Sequence, residues 1–174
     1  IYKKKFFEKN NYDNYDFTKH KLKDKYDIIL GMYVIELFNI NELNFFLKNI
    51  KNKFKICIFV CDLTDIFFID KWNKDFDPHR FNKLKYSKFF FNLISNRFIY
   101  QNRLRFNDFI DLFTDHGYEI VKAHRCNEVH EKVDKSHFFK NKKYSNFKIH
   151  KDFSKYSYED LYTPKGIFII KNKN

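Results

Sequence analysis

The sequence alternates short apolar runs with segments of helical periodicity, and this order limits the fold more than any other feature. Two runs rich in β-branched residues, at 27–33 and 55–63, have the length and composition of buried strands. The segment between them, 41–54, has apolar residues at helical spacing, and Asn41 is its predicted N-cap. A strand, a helix and a strand in this order predict a parallel pair joined by a crossover helix.

The rest of the chain continues the alternation after a polar, aromatic-rich stretch that we expect to be irregular around Pro78. The pattern predicts helices over 86–98 and 106–117, a short helix at 157–161, and strands at 118–125 and 166–173. Gly117 is the predicted C-terminal cap of the second of these helices. No repeat or linker divides the sequence, so we predict one α/β domain over residues 1–174 with a mostly parallel sheet.

The composition provides a core, and the charge raises the question of a partner. The chain is 44% hydrophobic and 21% aromatic, which is enough for one packed core. A net charge of +12 would ordinarily indicate nucleic acid or an anionic membrane surface as partner. The lysines are scattered among acids, however, and abundant Lys, Asn, Phe, Ile and Tyr are typical of an A/T-rich coding sequence. We therefore interpret the charge as compositional, which argues against nucleic acid as a partner.

The cysteines and histidines predict neither disulfides nor a metal site. Cys57, Cys61 and Cys126 are odd in number and include no CxxC pair, so we expect free thiols in a reducing cytoplasm. Cys57 and Cys61 fall on one face of the predicted strand and are interpreted as small buried hydrophobes. The seven histidines are dispersed without ligand spacing. No apolar run approaches the ~20 residues of a membrane span, and we predict none.

Gly31 stands out because the chain has only three glycines. It falls where the first predicted strand ends, and ligands of open α/β sheets bind beyond the carboxyl ends of the strands. A missing side chain there lets a ligand or another backbone approach closely. A glycine needed only for a bend would give the same sequence, so both interpretations stay open.

Residues 24–63, DKYDIILGMYVIELFNINELNFFLKNIKNKFKICIFVCDL, resemble the middle of class I S-adenosylmethionine-dependent methyltransferases. In that family an "fDlI" strand is followed by "vlEH", a helix and an apolar strand. Residues 27–29 match the acid-opened fourth strand of the family, and 34–36 match "vlE". Leu37 stands where many members carry His, so a role that depends on that imidazole is lost or supplied elsewhere.

Three later segments are similar to a narrower group of bacterial methyltransferases of this fold. CDLTDIFFID (61–70) is similar to their "DLsDHf" element after the fifth strand, although Ile66 stands where that group often has His. YQNRLRFNDFIDLFTDHGYEIV (100–121) and FKIHKDFSKYSYEDLYTPKGIFIIKNK (147–173) are similar to their later elements. Together the resemblance covers most of residues 16–173.

One element of the family is absent from the sequence. The glycine-rich loop that cradles the methionine end of the cofactor has no counterpart, because Gly31, Gly117 and Gly166 lie far apart along the chain. The resemblance therefore implies the C-terminal portion of a Rossmann-like methyltransferase domain that lacks its N-terminal strands. We expect this chain to bind S-adenosylmethionine weakly or not at all.

The resemblance implies transfer of a methyl group to a small molecule or a glycan precursor. A hydroxyl acceptor needs a group that takes its proton, and carboxylates after the strand ends could do so. The candidates are Asp16, Gly31 and Met32 for the cofactor, Glu36 and Asp65 as catalytic carboxylates, and Asp62, Tyr100, Asn102, Arg103 and Arg105 for the acceptor.

Each candidate also has a structural interpretation. The acids could equally be caps or solvent-facing groups, Asp16 could be a turn or capping residue, and the arginines could brace the sheet. The alternative function is a catalytically inactive remnant of the fold or a basic binding module.

Overall fold

The computed structural model describes residue 16 and residues 19–65, 78–95, 100–126 and 148–173. The strands are β1 (Tyr26–Met32), β2 (Phe54–Asp62), β3 (Tyr118–Cys126) and β4 (Lys165–Asn172). The helices of the described part are α1 (Ile40–Ile50), α2 (Lys88–Ile94), α3 (Phe106–Asp115) and α4 (Tyr158–Leu161). Short 3-10 turns lie at Ile35–Leu37, Pro78–Lys85 and Lys151–Phe153.

The four strands form one mixed sheet in the order β1-β2-β4-β3. β1 and β2 are parallel, and β4 is antiparallel to both of its neighbours. β1, β2 and β3 therefore run in one direction and β4 runs against them. The predicted α/β class and the strand–helix–strand unit at 26–62 are confirmed. Three of the four described strands share one direction, but the sheet is mixed, with one parallel and two antiparallel pairings.

The start of α1 differs from the prediction. Its N-cap is Asn39, whose side chain accepts hydrogen bonds from the N–H groups of Asn41 and Glu42, both at 3.0 Å. The Glu42 carboxylate accepts the Asn39 N–H at 2.9 Å in return. This reciprocal capping box selects Asn39 because a glutamate lies three residues after it, whereas Asn41 lies within the first turn. The helix ends at Ile50, four residues before the predicted end.

The later elements follow the predicted order with adjusted bounds. α2 ends at Ile94 with Ser95 in an extended conformation, and residues 96–98 of the predicted helix lie outside the described residues. α3 ends at Asp115, and Gly117 follows with φ +76°, a left-handed conformation that glycine adopts readily. The predicted irregular stretch is described from Pro78 onward, where it is a 3-10 turn.

Helices α1 and α3 both pack on the same face of the sheet. α1 buries an apolar stripe, and α3 buries three phenylalanines against it and against the strands; the principal members are Leu43, Leu47, Phe59, Phe109, Phe113 and Phe168. Cys57 and Cys61 are free and buried in this cluster, as predicted. The core therefore lies between one face of the sheet and these two helices.

The other face of β1 has a different environment. In the described part of the chain β1 pairs only with β2, and Ile28, Leu30 and Met32 are 61%, 60% and 51% exposed. Ile29, which points to the opposite face, packs against the core. β1 is thus an edge strand with one apolar face open among the described residues.

Candidate functional site

The carboxyl ends of β1 and β2 lie side by side. Gly31 pairs with Phe59 and Met32 with Val60 in the parallel ladder. Tyr33 then takes a left-handed conformation, φ +57°, and the 3-10 turn at Ile35–Leu37 begins two residues later. This reversal brings the Glu36 side chain back over the end of β2, where its Oε1 accepts the Asp62 N–H at 3.0 Å.

Four of the candidate residues are therefore gathered at one end of the sheet: Gly31, Met32, Glu36 and Asp62. Parallel strands place their carboxyl ends at the same edge, so the pairing of β1 with β2 is the reason for this arrangement. The hydrogen bond from the Asp62 N–H to the Glu36 carboxylate links the end of β2 to the turn that follows β1.

The space above Gly31 is filled by an aromatic ring. A Cβ atom at this position would lie 2.7 Å from Phe59 Cδ1 and 3.0 Å from Cε1, closer than ordinary contact. The Phe59 ring is itself fully buried, stacked on Phe113 at 5.5 Å and edge-on to Phe46 at 6.1 Å. The glycine thus allows close approach of a side chain; its role in approach of a cofactor stays a prediction.

Glu36 is an ionisable group in an apolar environment. It is 2% exposed, and its Oε2 has no hydrogen-bond partner among the described residues. Burial raises the pKa of the Glu36 carboxyl to about 7, against the lowering effect of the Asp62 N–H bond, and the Asp62 charge raises it further. Near neutral pH this carboxyl is divided between its acid and its ionised form, as a proton-transfer group requires.

Asp62 organises the turn that follows β2. Its Oδ1 accepts hydrogen bonds from the Thr64 N–H at 2.9 Å and the Thr64 hydroxyl at 2.6 Å. Its carbonyl accepts one from Gln101 Nε2 at 3.1 Å. These bonds favour the capping interpretation of Asp62, and its contact with an acceptor stays a prediction. Asp65, the second predicted catalytic acid, is half-buried three residues further on.

Asn102 joins the loop before α3 to the turn after β1. Its Nδ2 donates to the carbonyls of Ile35 and Phe38 at 3.0 and 3.1 Å, and its N–H donates to the Glu36 carbonyl at 2.7 Å. Tyr100 lies half-buried at the start of this loop, with its ring 6.4 Å from that of Phe91. The loop is therefore tied directly to the residue that carries the candidate carboxyl.

The two arginines brace the fold. Arg105 is fully buried and donates to the carbonyls of Leu63, Thr163 and Asp160 at 2.9, 3.0 and 3.2 Å. Arg103 donates to the Tyr86 carbonyl at 2.5 Å and lies over the rings of Phe91 and Phe153. These contacts support the structural interpretation of both residues.

Asp16 lies in a turn toward the amino ends of the strands. Its side chain pairs with Lys19 at 2.8 Å, and its carbonyl accepts the His20 N–H at 2.9 Å. The His20 carbonyl in turn binds Asn49 near the C-terminal end of α1, at 2.6 Å. Gly31 and Met32 lie at the carboxyl end of β1, away from the contact between His20 and Asn49. A cofactor role for Asp16 stays a prediction.

Lys83 is the residue of this region that the sequence did not single out. It lies in the turn Pro78–Lys85, is 3% exposed, and donates to the Asn102 carbonyl at 3.2 Å. Burial lowers the pKa of the Lys83 ammonium to about 7, and the charge of Arg105 contributes to this lowering. The only sequence signal was its position between Phe81 and Leu84, which are themselves buried.

The described residues contain no group of three or more His, Cys, Asp or Glu residues that could hold a metal ion. None of the helices in the described part is both long and apolar enough to cross a membrane.

Comparisons with known proteins give partial similarity in structure. No protein-family model and no curated protein matches the chain. A solved structure described as an S-adenosylmethionine-dependent methyltransferase from Clostridium acetobutylicum ATCC 824 is similar, with 11% sequence identity and a TM-score of 0.48. The match covers 92% of this chain and 63% of that one, so the chain spans less than two thirds of its length. A similarity at this level assigns neither a family nor an activity.

Proposed function

We propose that the chain is the C-terminal part of an S-adenosylmethionine-dependent methyltransferase domain that acts on a small molecule or a glycan precursor. The observation that carries the proposal is the parallel pair β1 and β2, whose carboxyl ends hold Glu36 and Asp62 in direct contact. Such an edge is where open α/β sheets bind their ligands. The sequence resemblance supplies the reaction class.

The buried carboxyl of Glu36 is suited to take a proton from an acceptor hydroxyl. One of its oxygens is held by the Asp62 amide, and the other has no hydrogen-bond partner in the described part of the chain. A carboxyl with a pKa of about 7 accepts a proton efficiently at neutral pH. We therefore assign proton transfer to Glu36 and leave Asp62 as the group that orients it.

The described residues do not fit the cofactor by themselves. A cradle for the methionine end needs glycines that leave backbone N–H groups open. At Gly31 and Gly166 the space is filled by the rings of Phe59 and Phe168, at 2.7 and 2.8 Å from an added Cβ. Gly117 follows the end of α3 and lies next to the Lys51 side chain. We therefore propose that the cofactor cradle is not formed by the described residues.

Calorimetric titration with S-adenosylmethionine tests whether the present chain binds the cofactor by itself. We expect weak or undetectable binding. Micromolar affinity would show that the assignment to the C-terminal part of the domain, or to the methyltransferase family, is wrong. The coding sequence upstream of Ile1 tests the proposal itself. A strand followed by a glycine-rich turn would support it, and a start codon directly before Ile1 would favour an inactive remnant.

The net charge of +12 is the observation that favours the alternative, a basic binding module. Scattered lysines neutralise few phosphates at once, so we expect binding to duplex DNA to be weak and to vanish near physiological salt. Tight binding that survives salt and prefers one sequence would overturn the enzyme proposal.

A further inference from the structure

Helix α2 exposes its apolar side chains to solvent. Phe89 and Leu93, one turn apart, are 80% and 71% exposed, and none of the seven residues of the helix is buried. The exposed apolar residues on the helix and just before it are Tyr86, Phe89, Phe90, Leu93 and Ile94. The Tyr86 ring lies 5.3 Å from that of Phe90, and helix positions three and four apart lie on one side. These five side chains therefore form one apolar surface, the α2 patch.

Contacts on the other side of α2 hold the patch outward. Phe91 is half-buried, and the Arg103 Cζ lies 4.7 Å from the centre of its ring. The Arg103 guanidinium also donates to the Tyr86 carbonyl at 2.5 Å. The Ser87 hydroxyl oxygen caps the helix by accepting the Phe90 N–H at 3.1 Å. The patch is thus presented to solvent by a helix that is anchored to the body of the protein.

Lysines lie next to this helix. Lys88 is exposed at its start, and its N–H donates to Asp152 Oδ2 at 2.8 Å. This bond places the 3-10 turn Lys151–Phe153 beside the start of α2, and Lys151 is exposed there. Lys155, also exposed, follows two residues after the turn. Exposed apolar side chains beside lysine ammonium groups match the surface of a bilayer that contains anionic lipid.

The size of the α2 patch favours a bilayer over a folded partner. A stable interface between proteins takes about 20–30 residues from each side, whereas the patch has five apolar side chains. A second copy of this chain would also bring its own lysines against those beside the patch, and like charges repel. A bilayer surface accepts a few apolar side chains without a complementary shape, and its anionic headgroups attract lysine.

We propose that the α2 patch docks on the surface of a membrane that contains anionic lipid. Phe89 and Leu93 insert among the acyl chains, and Lys88 and Lys151 lie at the headgroups. The contact is peripheral and reversible, because a helix of seven residues is far shorter than the ~20 residues that span a bilayer. The proposal goes beyond methyl transfer and does not depend on it, since it uses no residue at the carboxyl ends of β1 and β2.

Co-sedimentation of the present chain with lipid vesicles tests the apolar part of the contact. We expect binding to vesicles of phosphatidylcholine mixed with phosphatidylserine, and weaker binding to phosphatidylcholine alone. Leu93→Ser should lower the partition coefficient about fivefold, because an apolar side chain is lost from the bilayer. Leu30→Ser is the matched control, since Leu30 is 60% exposed on β1, outside the patch, and it should leave the coefficient unchanged. Both variants should keep the circular dichroism spectrum of the parent.

The lysines are tested on the same vesicles. Lys88→Gln should lower binding to the mixed vesicles about fivefold, because one lysine near an anionic surface contributes about this factor. Lys122→Gln, at an exposed position of β3, is the charge control and should leave binding unchanged.

Four results would overturn the proposal. The first is no binding to the mixed vesicles, and the second is equal binding to both kinds of vesicle. The third is an equal loss of binding in Leu93→Ser and Leu30→Ser. The fourth is self-association of the parent that Leu93→Ser abolishes, measured by sedimentation velocity without lipid, because it would assign the α2 patch to a second copy of the chain.

Discussion

Substitution of Gly31 by alanine tests the packing at the end of β1. The added Cβ would lie 2.7 Å from Phe59 Cδ1, whereas ordinary contacts lie at 3.4–4 Å, so the ring must move by about 0.7 Å or more. Phe113 stacks on that ring and Phe46 meets its edge, so both neighbours resist the movement. Overpacking of this kind costs about 1–3 kcal/mol. The smaller backbone entropy of alanine in the unfolded chain offsets about 0.4–1 kcal/mol.

We therefore expect Gly31→Ala to lower the free energy of unfolding by about 1–2 kcal/mol. Equilibrium urea unfolding followed by circular dichroism measures this change. The matched background is Phe59→Leu, because a smaller side chain removes the contact with the new Cβ. In that background the same substitution should cost at least about 1 kcal/mol less, and the difference is the coupling energy of the two positions.

Two results would refute this reasoning: a Gly31→Ala protein as stable as the parent, or an equal cost in both backgrounds. The larger substitution Gly31→Val separates packing from ligand approach in a form of the protein with measurable activity. Parallel losses of activity and stability would favour packing against Phe59. A loss of activity well beyond the loss of folded protein would favour a direct role at the cofactor.

Three further predictions use the same unfolding measurement. Arg105→Met should lower the free energy of unfolding by about 3–5 kcal/mol, because three main-chain carbonyls lose a buried charged donor. Arg103→Met, at a half-buried site, should lower it less, and equal losses would contradict the bracing role of Arg105. Asn39→Ala should cost about 1 kcal/mol through loss of the helix cap, whereas Asn41→Ala should stay within about 0.5 kcal/mol; the reverse order would contradict the observed cap. The pKa of Glu36 lies near 7 in the folded protein, above 4.5 in the unfolded chain, so the free energy of unfolding of the parent should fall by up to about 3 kcal/mol through this group as the pH rises from 4.5 to 7. Glu36→Gln should lack this dependence of stability on pH, and an equal dependence in both proteins would refute the raised pKa.

The sequence by itself determined the kinds and order of the elements. Apolar runs with β-branched residues predicted β1 and β2, and the 3.6-residue spacing between them predicted α1, because these periods are properties of the local backbone. Gly117 was identified as a helix stop for the same reason, since a left-handed residue after a helix favours glycine. The parallel pairing of β1 and β2 followed from the helix that separates them.

Tertiary structure alone decided where β4 inserts and which polar groups are buried. β4 is last in the sequence but lies between β2 and β3, a placement set by long-range contacts of its two faces. From its sequence context Lys83 would be expected on the surface. It is buried because it lies between Phe81 and Leu84, whose side chains pack into an apolar cluster. The sequence predicts Arg105 as a ligand for an anion, whereas the fold brings three main-chain carbonyls to its guanidinium and so supports the structural interpretation. Local periodicity cannot encode such contacts, because the groups that satisfy a buried charge come from residues distant in the sequence.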